Sequence, residues 1–147
     1  MGFVQQILRW ITNRGPALAS GPVRVLNVTR QVELAHRVDV ADTGRKRRKG
    51  LLSHSSLTCG EGMWIVPCEA VHTFGMRFAI DLIYLDRNKV IMKISHSVSP
   101  WRMSACLSAH SVLELASGSV RRTETELGDR LEFCFKRDER VNKRPMA

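Results

Sequence analysis

The feature that most constrains the fold is residues 67–86, where polar side chains interrupt an otherwise apolar run. The polar members are His72, Thr73, Arg77 and Asp81. Residues 80–85 read as a buried strand, and residues 90–97 follow a short polar turn, as in an antiparallel hairpin. Because burying a polar group without a hydrogen bond is costly, each of the four must either be hydrogen-bonded within the fold or line a site.

Short strand-like runs dominate the rest of the chain. They cover residues 23–28, 32–40, 63–66, 112–115 and 131–135, with residues 74–78 as a further extended piece. One main helix is predicted near residues 43–52, with Asp42 as its N-cap, and residues 103–109 are predicted as a loop. The second hairpin strand is expected to present Val90, Met92 and Ile94 on one face. The pattern predicts an α+β fold: a compact, mainly antiparallel sheet or partly open barrel of six or seven short strands.

The chain has 147 residues, which is enough for one domain with its own core, predicted here over residues 23–135. Residues 1–22 combine an amphipathic segment with a Gly/Pro linker, and residues 136–147 form a basic tail expected to be disordered. Polar residues interrupt the N-terminal segment too often for a signal peptide. We therefore expect a cytoplasmic protein, with peripheral membrane contact through the N-terminal helix as the alternative.

The net charge of +9 favours acidic partners, but the excess is concentrated in residues 45–49 and in the tail. No element that reads base edges is recognisable, so we expect no sequence-specific binding to nucleic acid. Weak contact with anionic surfaces is expected through the N-terminal helix and the basic segments. The expected partner is a small anionic or carbohydrate-like molecule.

Three charged residues are expected to support the structure. On a helical wheel Arg47 points with Leu51 toward the core, which favours a salt bridge over a ligand contact for Arg47. Strand alternation places Glu114 on the face opposite its leucine neighbours, and Asp129 falls in a turn.

The candidate ligand-binding residues are His72, Thr73, Arg77, Asp81, Trp101 and Arg102. The arginines could hold a carboxylate or phosphate, and the tryptophan could stack on a sugar or base. His72 and Asp81 are also the candidate catalytic pair of a metal-independent hydrolase or lyase, with His72 as base. A third possibility is an interaction module anchored at the cell envelope. Each of these residues could instead be satisfied within the fold, by a carboxylate, a backbone group or core packing.

No cofactor or metal site is predicted. The four cysteines form no C-x-x-C pair and the histidines do not complete a zinc spacing. Cys68 precedes His72 by four residues, which is a weak indication of a Cys–His nucleophile.

An ordered set of short motifs resembles the DUF192 family, a domain of unknown function, and in particular a branch with the motif H-T-F-G-M-R-F-x-I-D. The matching pieces are Ala41-Asp42-Thr43, Arg47-x-x-Gly50-Leu51, Gly62-Met63, residues 72–78 with Ile80-Asp81, Pro100-Trp101-Arg102, Leu113-Glu114-Leu115 and Gly128-Asp129. Leu52, Ala79 and Ala116-Ser117 depart from the usual residues. The resemblance implies a compact, mainly antiparallel α+β domain and no established reaction.

Overall fold

The computed structural model describes residues 21–135; the amphipathic segment of residues 1–20 and the tail from residue 136 lie outside this range. The elements in chain order are β1 (Val23–Asn27), β2 (Val32–Ala41), α1 (Gly44–Lys49), β3 (Glu61–Ile65), β4 (Ala70–His72), β5 (Ile80–Leu85), β6 (Ile91–Val98), β7 (Met103–Ala105), β8 (Ser111–Ala116), α2 (Ser119–Arg122) and β9 (Leu131–Cys134). The described chain is mainly β with two short helices, which confirms the α+β class.

Seven strands form one sheet in the order β6-β5-β8-β3-β2-β1-β9, and β4 pairs separately with β7. All neighbours are antiparallel except β2 and β3, which are parallel because α1 and the loop after it carry the chain back between them. The two ends of the sheet approach each other: Val90 forms a bridge with Arg130, and the Ile91 amide donates to the Asp129 carbonyl at 2.9 Å. The sheet is therefore curled toward a partly open barrel.

The central strands β5 and β8 are buried at every residue and separate two apolar clusters. Leu113 and Leu115 pack on one face with the side chains of β1 and β2. Val112 and Tyr84 pack on the other face, which is covered by Leu51 after α1 and by residues flanking β4 and β7. The cavity described below opens on this second face, between α1 and β8.

The start of α1 differs from the prediction. Thr43, not Asp42, is the N-cap, because the Thr43 hydroxyl oxygen accepts from the Lys46 amide at 3.3 Å. The Asp42 carboxylate instead accepts from Lys46 Nζ at 3.2 Å. The helix ends at Lys49, since Gly50 adopts φ 45°, a backbone conformation that glycine tolerates best.

Three further local predictions were wrong. Residues 103–105 form β7 rather than loop, through a three-residue pairing with β4 that is too short to show as alternation. Residues 74–78 form a turn and a bend rather than an extended piece. In β6, Ile91 is buried and Met92 is exposed, because the pairing with β5 shifts register between Tyr84 and Leu85.

Candidate functional site

A cavity of about 440 Å³ lies between α1, the segment that leads into β4, and the central strand β8. Its lining includes Arg47, Leu51, Cys68, His72, Met76 and Glu114. Arg48 and Lys49 of α1 also contribute to its wall, so one side of the cavity is strongly basic. A pocket of this size, with both apolar and polar walls, suits a small molecule.

Glu114 is the most unusual residue of the cavity. It lies in the middle of β8, opposite Met63 of β3 and Leu82 of β5, and is only 4% exposed. Its Oε2 atom is buried and has no hydrogen-bond partner among residues 21–135. Burial raises the pKa of the Glu114 carboxyl to about 7, so the group can either donate or accept a hydrogen bond near neutral pH.

Arg47 is a well-anchored cation in the lining of the same cavity. Its Nη1 atom donates to the backbone oxygen of Asp42 at 3.0 Å and, at the longer distance of 3.4 Å, to the backbone oxygen of Val66. The salt bridge expected for Arg47 is not formed within the described chain, and its Nε and Nη2 atoms make no hydrogen bond there. The guanidinium is thus fixed along one edge, while the other edge has donors to offer an anion.

His72 ends β4 at the rim of the cavity and is exposed. Its Nδ1 atom accepts a hydrogen bond from the Phe74 amide at 3.3 Å, so Nε2 carries the proton in the neutral ring. The Cys68 thiol donates to the Ala70 carbonyl at 3.2 Å, and burial raises the pKa of this thiol. No hydrogen bond joins the two side chains, and the raised pKa opposes thiolate formation, so the arrangement gives no activated Cys–His pair.

Two predicted site residues are instead structural. Thr73 is buried, and its hydroxyl donates to the Ser99 carbonyl at 2.8 Å while accepting from the Arg102 amide at 2.9 Å. Asp81 is fully buried, and its two oxygens accept from the amides of Ser97 at 2.9 Å and Val120 at 3.0 Å. Both side chains are fully occupied in fastening loops.

The proposed His72–Asp81 pair is therefore not formed. Both carboxylate oxygens of Asp81 are engaged by backbone amides, while His72 is exposed and bonded to Phe74. A general base needs its orienting partner within hydrogen-bond reach, and these two groups lie in separate environments. The structure removes the basis for a hydrolase or lyase built on this pair.

The remaining predicted ligand residues, Arg77, Trp101 and Arg102, are exposed on the surface outside the cavity. Of the six candidate ligand-binding residues, only His72 lines the cavity. Among the other ionisable residues of the lining, Arg47 and Glu114 were assigned a structural role from the sequence; Arg48, Lys49, Cys68 and Glu69 line the cavity as well. The sequence did contain an indication of the role of Glu114, because a glutamate inside a fully buried strand has to be paired, protonated or directed into a site.

Asp129 has the structural role expected for it. Burial opposes its ionisation, but hydrogen bonds from the Asn27 side chain, the Glu126 amide and the Arg30 guanidinium outweigh burial and lower the pKa of its carboxyl. The donor–acceptor distance is 2.9 Å in each of the three. This carboxylate ties the β1–β2 turn to the turn before β9.

Residues 21–135 contain neither a cluster of metal-ligating side chains nor an apolar helix of bilayer length. No group of three or more His, Cys, Asp or Glu side chains there could hold a metal ion. Nor does this part of the chain contain a helix with the length and apolar character needed to cross a bilayer.

The model of the DUF192 family, described as an uncharacterized ACR, matches residues 25–133. The chain belongs to this family. A UPF0127 protein of Pyrococcus furiosus is 32% identical over 115 residues, covering 74% of this chain and 97% of the relative. A UPF0127 protein of Pyrococcus abyssi is 28% identical over 116 residues, covering 74% and 96%. The family resemblance drawn from the motifs is thereby confirmed.

Two solved structures share the fold of this DUF192 chain. A proposed transcription regulator from Sinorhizobium meliloti aligns with a TM-score of 0.68 at 23% identity, over 81% of this chain and 98% of its own. A protein of unknown function from Novosphingobium aromaticivorans aligns with a TM-score of 0.66, also at 23% identity, over 76% and 83%. At this level of identity the likeness concerns the fold alone.

Proposed function

We propose that this DUF192 domain binds a small anionic, sugar-like molecule in the cavity beneath α1. The observation that carries the proposal is Glu114, whose buried oxygen has no partner within residues 21–135 and lies in a cavity that is also lined by Arg47, an arginine with unused donors in that part of the chain. An unsatisfied buried carboxyl costs stability, on the order of 1–3 kcal/mol. A ligand hydroxyl that donates to Glu114 would remove that cost.

The charges of the cavity specify the rest of the ligand. Arg47, Arg48 and Lys49 form the wall contributed by α1, so an anionic group belongs on that side. Glu114 lies in β8, and because burial raises the pKa of its carboxyl to about 7, its carboxylate form can accept a hydrogen bond from a neutral donor such as a hydroxyl. A phosphorylated or carboxylated sugar carries both features, because its anion can meet Arg47 while its hydroxyls meet Glu114.

The experiment is a thermal-shift and calorimetric titration with four probes: glucose 6-phosphate, glucuronate, glucose and inorganic phosphate. A ligand that binds only the folded state raises the melting temperature, by an amount equivalent to about 2.7 kcal/mol at one hundred times its Kd. We expect glucose 6-phosphate or glucuronate to stabilise the protein more than glucose or phosphate does.

Matched variants locate the binding. Arg47→Gln and Glu114→Gln should each lower the affinity for the stabilising probe by about tenfold, equivalent to 1.4 kcal/mol. Arg45→Gln removes an exposed cation of the same helix that does not line the cavity, and should leave the affinity unchanged. The proposal fails if no probe stabilises the protein, or if Arg45→Gln weakens binding as much as Arg47→Gln does.

A further inference from the structure

A second feature lies on the surface beside the cavity. The rings of His72 and Phe74 stack with centroids 5.2 Å apart, and those of Phe74 and Trp101 with centroids 5.9 Å apart. Met103 pairs with His72 across β4 and β7. Together with Leu52, these four residues form what we call the aromatic patch. Leu52 is included because its Cδ2 atom lies close to Gly75, at 3.7 Å from the position that a Cβ on Gly75 would occupy.

The aromatic patch is far more exposed than apolar side chains of this size usually are. Trp101 is 66% exposed, Met103 76% and Phe74 40%. Trp101 also has φ 63°, in the left-handed region that bulky residues rarely adopt. Its amide donates to the Thr73 carbonyl at 3.0 Å, and the Thr73 hydroxyl fastens both ends of the same loop. The fold therefore holds this tryptophan outward. A contiguous exposed apolar area of this kind marks an interaction site.

The segments that build the patch carry positive charge only. Residues 43–60, 70–80 and 99–110 contain no Asp or Glu, whereas they include the basic run 45–49, Arg77 and Arg102. Arg77 and Arg102 are both exposed, and in the sequence they follow closely after Phe74 and Trp101. A surface that combines protruding apolar groups with cations is complementary to a layer that is apolar inside and anionic outside.

We propose that the aromatic patch is a docking surface for a membrane that contains anionic lipids. Trp101 would sit at the level of the headgroups, where tryptophan is favoured, with Phe74 and Met103 beside it. The cations would contact lipid phosphates, each contributing about 1 kcal/mol near the surface. Single-stranded nucleic acid fits less well, because Met103 and Leu52 have no ring for a base to stack on and Phe74 already stacks with two neighbouring rings.

The test is co-sedimentation of the full chain with vesicles of phosphatidylcholine alone or mixed with phosphatidylglycerol, at low and high salt. We expect binding to the mixed vesicles and weakening of that binding by salt. The combined variant Trp101→Ser with Met103→Ser should bind at least about tenfold less tightly, a factor that corresponds to 1.4 kcal/mol.

The control is Leu127→Ser, which removes an equally exposed leucine (64%) from a turn flanked by Glu126 and Asp129. It should bind the mixed vesicles as the unmodified chain does. In a Trp10→Phe background, vesicles should also shift the Trp101 emission to shorter wavelength, since Trp64 is only 5% exposed and should not respond.

Three results would overturn the proposal: no binding to either vesicle, equal binding by the Trp101/Met103 variant, or patch-dependent binding to a single-stranded oligonucleotide without binding to vesicles. Equal binding by that variant would assign membrane contact to another part of the chain, such as residues 1–20. Because all the substituted side chains in the patch and the control are exposed, unchanged melting temperatures should accompany each measurement.

Discussion

Two buried carboxyl groups in neighbouring central strands have opposite roles. Asp81 in β5 accepts a backbone amide on each oxygen, whereas Glu114 in β8 has no donor for Oε2 within residues 21–135. The difference is positional: Asp81 lies near the end of its strand, where a bulge and the start of α2 leave free amides. Glu114 lies mid-strand, where neighbouring amides are used in the ladder. Glu114 is consequently the carboxyl on which the proposed ligand site rests.

Replacing Glu114 with Gln should change how stability depends on pH. The folded pKa of about 7 exceeds the reference value of 4.5, so the folded state binds more protons than the unfolded state between these values. Stability is therefore lost as pH rises from about 4.5 to 7, by up to roughly 3 kcal/mol. In chemical denaturation, the free energy of unfolding of Glu114→Gln should exceed that of the unmodified chain most at pH 8, and by a smaller amount at pH 5. The exposed Glu132→Gln is the control, and a pH profile unchanged by Glu114→Gln would contradict this interpretation.

Asp81→Asn should be strongly destabilising. The amide would place an NH₂ group where one of two backbone donors now binds, and hydrogen bonds to a charged group are worth about 1.5–3 kcal/mol each. We expect a loss of about 3 kcal/mol in urea denaturation at pH 7. Asp39→Asn, at an exposed position of β2, should change stability by less than about 0.5 kcal/mol. Equal effects of the two substitutions would exclude the structural role given to Asp81.

At the scale of elements, the close approach of β3 and β8 sets the base of the cavity. A Cβ on Gly62 would come within 2.3 Å of the Glu114 carbonyl oxygen and 2.8 Å of Leu115 Cδ2. Glycine is required here by space, since the obstructing atom belongs to the backbone of the strand that carries Glu114. The spacing of these strands and the position of the carboxyl are thus coupled.

Gly62→Ala should separate β3 from β8 and lower stability by about 3 kcal/mol or more, because overpacking of a backbone contact cannot relax by side-chain rotation. Gly44→Ala provides the contrast: the nearest atom to its Cβ is Arg47 Nη2 at 4.0 Å, and alanine favours helix by about 0.5–1 kcal/mol. Melting temperatures should move in opposite directions for the two variants. A Gly62→Ala protein as stable as the parent would show that the strands can part freely.

At the scale of the whole molecule, the curled sheet depends on polar contacts at its seam as well as on its apolar clusters. Asp129 receives donors from the β1–β2 turn and from its own turn, while its backbone oxygen accepts from Ile91 at the start of β6. Segments distant in sequence therefore meet at one carboxylate. Removing its charge should loosen the closure of the sheet as a whole.

Asp129→Asn should lower the free energy of unfolding by about 2–4 kcal/mol at pH 7, because at least one of the three donors loses its partner. The folded pKa of Asp129 is lowered, so its contribution is present above the reference value of 3.8 and is lost as pH falls through the folded pKa. The difference between variant and parent should therefore shrink in denaturation curves below about pH 4. A difference that stays constant down to pH 2 would argue against a role for the charge.

The expectation that any binding to nucleic acid is independent of sequence stays a prediction.

Much of this fold was determined by the sequence itself. The nearly continuous apolar run of residues 80–85 specifies a strand that is buried on both faces. In residues 112–115, side chains point to opposite faces with a period of two. The short connections specify antiparallel neighbours, and the ordered motifs identified the family. The side of β8 that carries Glu114 also followed from alternation, since Leu113 and Leu115 had to share the opposite face.

Only the tertiary structure decided which polar residues are satisfied and which are free. Thr73 and Asp81 are recognisable as polar residues in an apolar run, but their partners, Ser99 and Val120, are distant in sequence. That Arg47 and Glu114 line one cavity likewise depends on the packing of a helix and a strand that are more than sixty residues apart in the sequence. Local patterns determine which face a side chain occupies. Whether a hydrogen-bond donor reaches that side chain depends on how distant segments pack, and no local pattern contains this information.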